Sequence, residues 1–119
     1  MKLTHDFELN GKKVTGRCTF RAINAFEESS GMSIADAWQK LMEQKLSFTI
    51  MARAVWAFVN GERISQGQKP ESFDVIGAEM HQHGFQNYVS VAGEFFALTF
   101  PETKNGVTSE AEPEKKSND

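Results

Sequence analysis

Three histidines, one cysteine and a few carboxylates are the residues of this 119-residue chain whose types suit metal binding or catalysis. His81 and His83 are two positions apart, so on a helix their side chains point about 200° away from each other and cannot hold one metal ion together. A metal site would need His5 or Cys18 from elsewhere in the chain. We therefore expect neither a metal site nor a cofactor.

The remaining candidates for catalysis lack the neighbours that catalysis requires. Cys18 falls on the apolar face of a predicted hairpin, where a free cysteine usually packs as a small hydrophobic residue. Glu27, Glu28 and Asp36 fall on predicted helix surfaces, and the sequence places no second catalytic group beside them. We expect a protein that is not an enzyme. A small enzyme that uses Cys18 or a histidine is the alternative.

The charge balance bears on possible partners, because the chain has a formal net charge of −3. Lys12, Lys13, Arg17 and Arg21 form a local basic cluster, which we interpret as a solvated face of the hairpin, with nucleic-acid binding as the alternative. No apolar run approaches the ~20 residues that span a bilayer, and a single cysteine allows no internal disulfide. We expect a cytoplasmic protein that binds neither nucleic acid nor membranes.

The first twenty residues have the pattern of a β-hairpin. Apolar and polar residues alternate before Asn10-Gly11, a pair that accepts the positive φ angles of a type I′ turn. They alternate again after it. The sequence therefore predicts a hairpin over residues 2–20, whose inward positions are Leu3, His5, Phe7 and Leu9, then Val14, Gly16, Cys18 and Phe20.

From residue 21 to residue 100 the apolar spacing is helical, and it predicts about five helices in an α+β, mostly α fold. Ser33 and Ser47 are predicted N-caps. The helix over 48–59 has one charged residue, so it should be the buried centre of the fold, with Trp56 inside. We predict a loop over 62–69, a helix led by Pro70, and a last helix with its apolar stripe at Phe85, Tyr88, Val89, Ala92, Phe95 and Phe96.

The composition changes after Phe100. Residues 101–119 contain one large apolar residue, Val107, among Glu, Lys, Ser, Thr and Asn. Such a segment buries too little to offset its ordering entropy, so we predict a single folded domain over residues 1–100 and a disordered polar tail over 101–119.

The order of these motifs carries a resemblance to a known family. The hairpin with Asn10-Gly11-Lys12 is followed by the segments FRAINAFEE and GMSI, an alanine-rich apolar helix, a helix led by Pro70, and an acidic tail that contains lysines. Over about residues 3 to 100 this resembles the tail assembly chaperones of long-tailed, siphovirus-type bacteriophages. The resemblance implies a non-catalytic chaperone that binds the tape measure protein, keeps it soluble and helps recruit tail tube subunits. A small adaptor or regulatory protein is the alternative.

The resemblance also implies where such a protein acts and in what forms. It would work in the host cytoplasm and be absent from the mature virion. Ribosomal frameshifting near the stop codon would give a longer form that contacts the tail tube protein, and Glu114-Lys115-Lys116 permits a slippery run of A. Together with the many large apolar side chains, the resemblance predicts a homo-oligomer. We expect Phe85, Tyr88, Phe95 and Phe96 of the last helix to form part of a protein-binding surface.

Overall fold

The computed structural model describes residues 3–100 of the chain. It has a two-stranded antiparallel hairpin followed by six helices, which confirms the mostly helical α+β fold; about five helices were predicted. The tail predicted over 101–119 lies outside the described residues. The strands are β1 (Thr4–Leu9) and β2 (Lys12–Arg17), and the helices are α1 (Phe20–Ser30), α2 (Ile34–Met42), α3 (Phe48–Val59), α4 (Gly61–Ser65), α5 (Phe73–His83) and α6 (Val89–Leu98), with a 3₁₀ turn (Phe85–Tyr88) before α6.

The hairpin forms where its sequence predicts, except at its end: Phe20, a predicted inward position, is 82% exposed and begins α1. Asn10 and Gly11 have φ angles of 56° and 76°, as a type I′ turn requires, and Leu9 pairs with Lys12 across it. The alternation then places one set of side chains toward the helices and leaves Asp6 and Glu8 exposed, together with Lys13 and Thr15 on β2. The two strands therefore cover one side of the helical core.

Close approach between β2 and the helices depends on two glycines. A Cβ atom on Gly16 would lie 2.4 Å from Cδ2 of the Phe58 ring, and one on Gly61 would lie 1.9 Å from the backbone oxygen of Arg17. Both distances are far below van der Waals contact, so neither position accommodates a side chain. Glycine thus allows the strand to lie directly on the end of α3.

The core is organised around α3, which packs against α1, α5 and α6. Small residues on α3 let these helices approach, since Ala52, Ala54 and Ala57 are all buried. Four completely buried phenylalanines form the aromatic centre of the core, and their side chains contact one another in edge and tilted arrangements: Phe26, Phe58, Phe95 and Phe96.

Helix starts follow the predicted caps in two cases and differ in a third. The hydroxyls of Ser33 and Ser47 accept hydrogen bonds from the backbone N–H groups three residues on. Pro70, however, lies outside the helix it was predicted to lead. Helix α5 begins at Phe73, with Ser72 as its N-cap.

The side chains of Trp56 in α3 and of Asn60, the residue that caps α3, explain why residue 70 does not start a helix. Asn60, which is completely buried, accepts a hydrogen bond from the Glu71 N–H at 2.8 Å, and the Trp56 indole Nε1–H donates to the Glu71 carbonyl at 2.7 Å. These bonds hold the backbone of Glu71 against α3. They also correct the expectation for Trp56, whose side chain is half-buried because its indole N–H reaches out to this segment.

Two other segments differ from the sequence prediction. The loop predicted over 62–69 begins with α4, which starts at Gly61. Gly61 packs on the Arg17 backbone there, and Glu62 forms a 2.9 Å ion pair with the Arg17 guanidinium. The last predicted helix is divided into the 3₁₀ turn and α6. Within residues 3–100, no helix is long and apolar enough to cross a membrane.

Candidate protein-binding surface

The four residues predicted to form a protein-binding surface have different environments. Phe95 and Phe96 are completely buried, and both contact Phe26 with ring centroids 6.1 and 5.6 Å apart. Tyr88 is also buried, and its hydroxyl bonds to the backbone of Asn10; burial is the main reason why the pKa of Tyr88 is raised. Only Phe85 of the four has a half-exposed side chain.

The predicted surface on the last helix is therefore corrected to core for three of its four residues. Helix α6 packs against α2, α3 and β1, so its apolar side chains are covered on several sides. A partner cannot reach Phe95 or Phe96 in this fold. Phe85 is left as the one predicted residue that a partner could contact directly.

Phe85 belongs to an exposed row of stacked rings. Its ring lies parallel to that of Phe48, with centroids 4.8 Å apart, and it also stacks with the His81 ring at a centroid distance of 5.7 Å. Phe48, the first residue of α3, is 49% exposed. An exposed aromatic side chain that is already held by stacking loses little entropy when a partner covers it, which is a property of interface anchors.

A second exposed apolar area lies on α2. The Trp38 indole stacks on the Phe100 ring with centroids 5.7 Å apart, and Met42 beside them is 75% exposed. Together with Ala35 and Gln39 they line a shallow depression that contains no charged side chain. Positions 35, 38, 39 and 42 follow helical spacing, so the depression runs along about two turns of α2.

The turn between α2 and α3 connects these two areas. Helix α2 ends in a Schellman motif, in which the Lys45 N–H donates to the Lys40 carbonyl and the Gln44 N–H donates to the Leu41 carbonyl. Gln44 has a φ angle of 59°, and the chain reverses here to present Phe48. A hollow of about 400 Å³ follows the turn, and its lining is uncharged: Leu41, Gln44, Leu46, Phe48, Met51, Gln86 and Val89.

We call this combined area the α2 surface, and define it by the exposed side chains of Met42 and Phe48 together with the half-buried rings of Trp38, Phe85 and Phe100. Met42 falls on the apolar stripe of α2 and Phe48 at the start of a helix predicted to be buried, so the sequence did not predict that both are exposed. The signal available was the position of both at helix ends, since the turn between them is the part of an α-hairpin least covered by other elements.

The residues considered for chemistry do not converge in the described structure. Among residues 3–100, no three His, Cys, Asp or Glu side chains are grouped so as to hold a metal ion. Cys18 is buried, its thiol lies 3.8 Å from the Phe95 carbonyl and 3.6 Å from the Thr99 hydroxyl, and burial raises the pKa of that thiol. A buried, protonated thiol is a poor nucleophile.

The basic cluster of the hairpin is partly neutralised by neighbouring acidic groups. Lys13 lies opposite Glu8 in the strand register, and Arg17 forms an ion pair with Glu62. Lys12 and Arg21 are exposed. The cluster is thus a mixed-charge surface on the outer side of the hairpin.

Comparisons of the chain with models of protein families, with curated protein sequences and with solved structures found no match in any of the three.

Proposed function

We propose that this protein is a non-catalytic tail assembly chaperone, which binds the tape measure protein of a long-tailed bacteriophage and helps recruit tail tube subunits. The observation that supports this proposal is the α2 surface, where Met42 and Phe48 are exposed beside three half-buried aromatic rings, and no charged side chain lines its two hollows. The resemblance of the sequence to these chaperones supports the choice of client.

The chemistry of the α2 surface suits a client that must be kept soluble. A long helical protein exposes apolar stripes until it is assembled, and such stripes are covered by apolar surfaces of similar width. Methionine and stacked aromatic rings adapt to varied side chains, since the thioether is flexible and the rings offer broad contact areas. Binding at this surface would leave the charged outer side of the hairpin exposed and preserve solubility.

The proposal also includes where the protein acts and what it assembles with. Action in the host cytoplasm, absence from the mature virion, self-association, and a frameshifted extension that contacts the tail tube protein belong to the same proposal. The nucleotide sequence around codons 114–116 tests the extension, since a slippery heptamer there and an overlapping −1 frame are both required.

Coexpression with a tape measure protein encoded next to this chain tests the central claim. We expect the chaperone to increase the soluble fraction of the tape measure protein and to copurify with it. Replacing Phe48 with serine should abolish copurification, because Phe48 is an exposed anchor that contributes little to the core. Failure of the unmodified chain to copurify with the tape measure protein would refute the proposal.

Phe20→Ser provides a matched control for Phe48→Ser. Phe20 is 82% exposed and, like Phe48, is the first residue of a helix after a hydroxyl N-cap. It does not line either hollow of the α2 surface. We expect Phe20→Ser to copurify normally. Equal losses for the two variants would indicate that any exposed phenylalanine serves, and would contradict the assignment of the surface.

A further inference from the structure

The hydrogen-bond pattern of the hairpin leaves one edge of β1 unpaired. In a two-residue hairpin the residues that flank the turn form a hydrogen-bonded pair, and such pairs then alternate along the ladder. The pairs Leu9–Lys12 and Phe7–Val14 are therefore hydrogen-bonded, as is the last pair, where the Cys18 N–H donates to the Leu3 carbonyl at 2.7 Å. The backbone groups of Thr4, Asp6 and Glu8 point away from β2.

The two edges of the hairpin are not equally accessible. On the β2 side, the outward carbonyl of Arg17 faces Gly61 at the start of α4, so this edge is covered at one end. On the β1 side, no other backbone group within residues 3–100 bonds to the outward groups of Asp6 or Glu8. An unpaired strand edge is a template for a further strand.

A groove lies beside this free edge. It has a volume of about 370 Å³ and separates β1 from the 3₁₀ turn and the first turn of α6. Its lining is mixed: Phe7, Tyr88 and Val91 supply the apolar part, and His5, Asn87 and Ser90 are among its polar residues. The outer side of β1, by contrast, carries the exposed carboxylates of Asp6 and Glu8.

We propose that the β1 edge binds an extended segment of a partner protein, in which basic residues alternate with apolar residues. The segment would add to β1 as a third strand. Its basic side chains would lie opposite Asp6 and Glu8 on the outer side, where opposite charges in cross-strand positions are favourable. Its apolar side chains would enter the groove beside Phe7. Strand β2 already shows this complementarity, because its Lys13 lies opposite Glu8.

Two other occupants fit less well. If β1 paired with β1 of a second copy, the exposed carboxylates of Asp6 and Glu8 would lie beside the same carboxylates of that copy, and like charges in cross-strand positions are destabilising. Residues 101–119 of the same chain contain five acidic and three basic residues and one large apolar residue. Their charge and composition do not match the edge or the groove.

A designed peptide tests the proposal with the full-length protein. The probe is a fluorescein-labelled seven-residue peptide of alternating lysine and valine, and the control peptide has glutamate in place of lysine. We expect the lysine peptide to raise fluorescence anisotropy saturably, and the glutamate peptide to bind at least about tenfold more weakly. Hydrogen exchange in the complex should slow at the amides of Asp6 and Glu8 but not at those of Lys13 and Thr15.

Two proline variants separate the β1 edge from the β2 edge. Asp6 and Thr15 are cross-strand partners joined by a 2.7 Å hydrogen bond from the Thr15 hydroxyl to the Asp6 carboxylate. Their N–H groups point outward on opposite edges, so Asp6→Pro and Thr15→Pro each remove that side-chain bond and no bond of the ladder. We expect Asp6→Pro to weaken binding of the lysine peptide about tenfold and Thr15→Pro to change it less than about twofold.

Isosteric variants keep the test decisive if a proline unfolds the hairpin. The double variant Asp6→Asn with Glu8→Gln retains the backbone and should weaken the lysine peptide about threefold to tenfold. Three results would each overturn the proposal. The two proline variants could weaken binding equally, the amides of Asp6 and Glu8 could exchange as fast in the complex as in the free protein, or the double variant could bind the lysine peptide with unchanged affinity. The β1 edge lies apart from the α2 surface, so Phe48→Ser should leave peptide binding unchanged.

Discussion

The two phenylalanines near the ends of α3 have opposite environments. Phe58 is completely buried under β2, and its ring contacts the rings of Phe7 and Phe95. Phe48, ten residues earlier on the same helix, is half exposed and stacks on Phe85 alone among the phenylalanines. The helix supplies the same residue type at both ends, so the neighbouring elements decide which ring becomes core and which becomes surface.

The difference arises from how closely a second element can approach. At Phe58 the strand comes near because Gly16 has no side chain, and the ring fills the space that a Cβ atom would occupy. At Phe48 the adjoining turn carries Gln44 and Leu46, which line a hollow with the ring, and among residues 3–100 nothing covers about half of the Phe48 side chain, which is 49% exposed. Close packing therefore specifies one end of α3, and the other end is left free for recognition.

Gly16→Ala is expected to have the largest effect, because it disrupts the close packing of β2 on Phe58. The added methyl group would lie 2.4 Å from the Phe58 ring, which is enclosed and cannot move aside. Overpacking of this kind costs about 3 kcal/mol or more in the free energy of unfolding. Chemical denaturation monitored by circular dichroism measures the loss.

Gly77→Ala is the matched control for that substitution. Gly77 lies inside α5, and a Cβ atom there would meet no other atom within 4 Å. Alanine in a helix interior is favoured over glycine by about 1 kcal/mol, so Gly77→Ala should raise the free energy of unfolding. A Gly16→Ala protein as stable as the unmodified chain would show that β2 can shift away from α3, and the close contact would not specify the fold.

The hairpin turn and two helix starts could be predicted because their determinants are local. Asn10-Gly11 and the alternation around it set the register, and the Ser33 and Ser47 hydroxyls act within one turn of their own backbone. The contact between Gly16 and Phe58 joins residues 42 positions apart. No local pattern distinguishes a glycine that bends a strand from one that receives a ring.

The candidate surface was harder to predict than the fold, for a reason visible in α6. The rule that an all-round apolar helix is buried placed α3 correctly in the core. Helix α6 (Val89–Leu98) has the same character, since Glu94 is its only charged residue. Applying the same rule to it would have assigned Phe95 and Phe96 to the core. The exposure of Phe48 depends instead on which elements end nearby, and that is a property of the tertiary arrangement.

Gln44→Gly tests whether the turn that precedes the exposed Phe48 is strained. Gln44 adopts the left-handed conformation that ends α2, with a φ angle of 59°, where glycine has no steric penalty. We expect the substitution to raise the free energy of unfolding by about 1 kcal/mol, as measured by urea denaturation. Glu43→Gly is the control, because Glu43 has a φ angle of −85° and gains nothing from glycine. Equal effects of the two substitutions would mean that the turn carries no strain.

Cys18→Ser gives the smallest expected effect. It tests whether the Cys18 thiol, which lies near the buried end of α3, is shielded from water in the folded protein. Cys18 lies at the base of the hairpin, and burial raises the pKa of its thiol relative to the unfolded chain, where a thiol titrates near about 8.5. Above that pH the unfolded state releases a proton that the folded state retains, so the stability of the unmodified protein falls as the pH rises. Below it the thiol contributes no pH dependence.

A serine hydroxyl does not titrate in this range, so the Cys18→Ser protein should lose less stability between pH 7 and pH 9, by at most about 0.8 kcal/mol for one thiol. Urea denaturation at both pH values, with a reductant present, measures the difference, and other titrating groups such as Tyr88 cancel between the two proteins. Identical pH dependence of the two proteins would mean that the thiol ionises as readily in the folded chain as in water, and that the seam between the hairpin and α6 admits solvent.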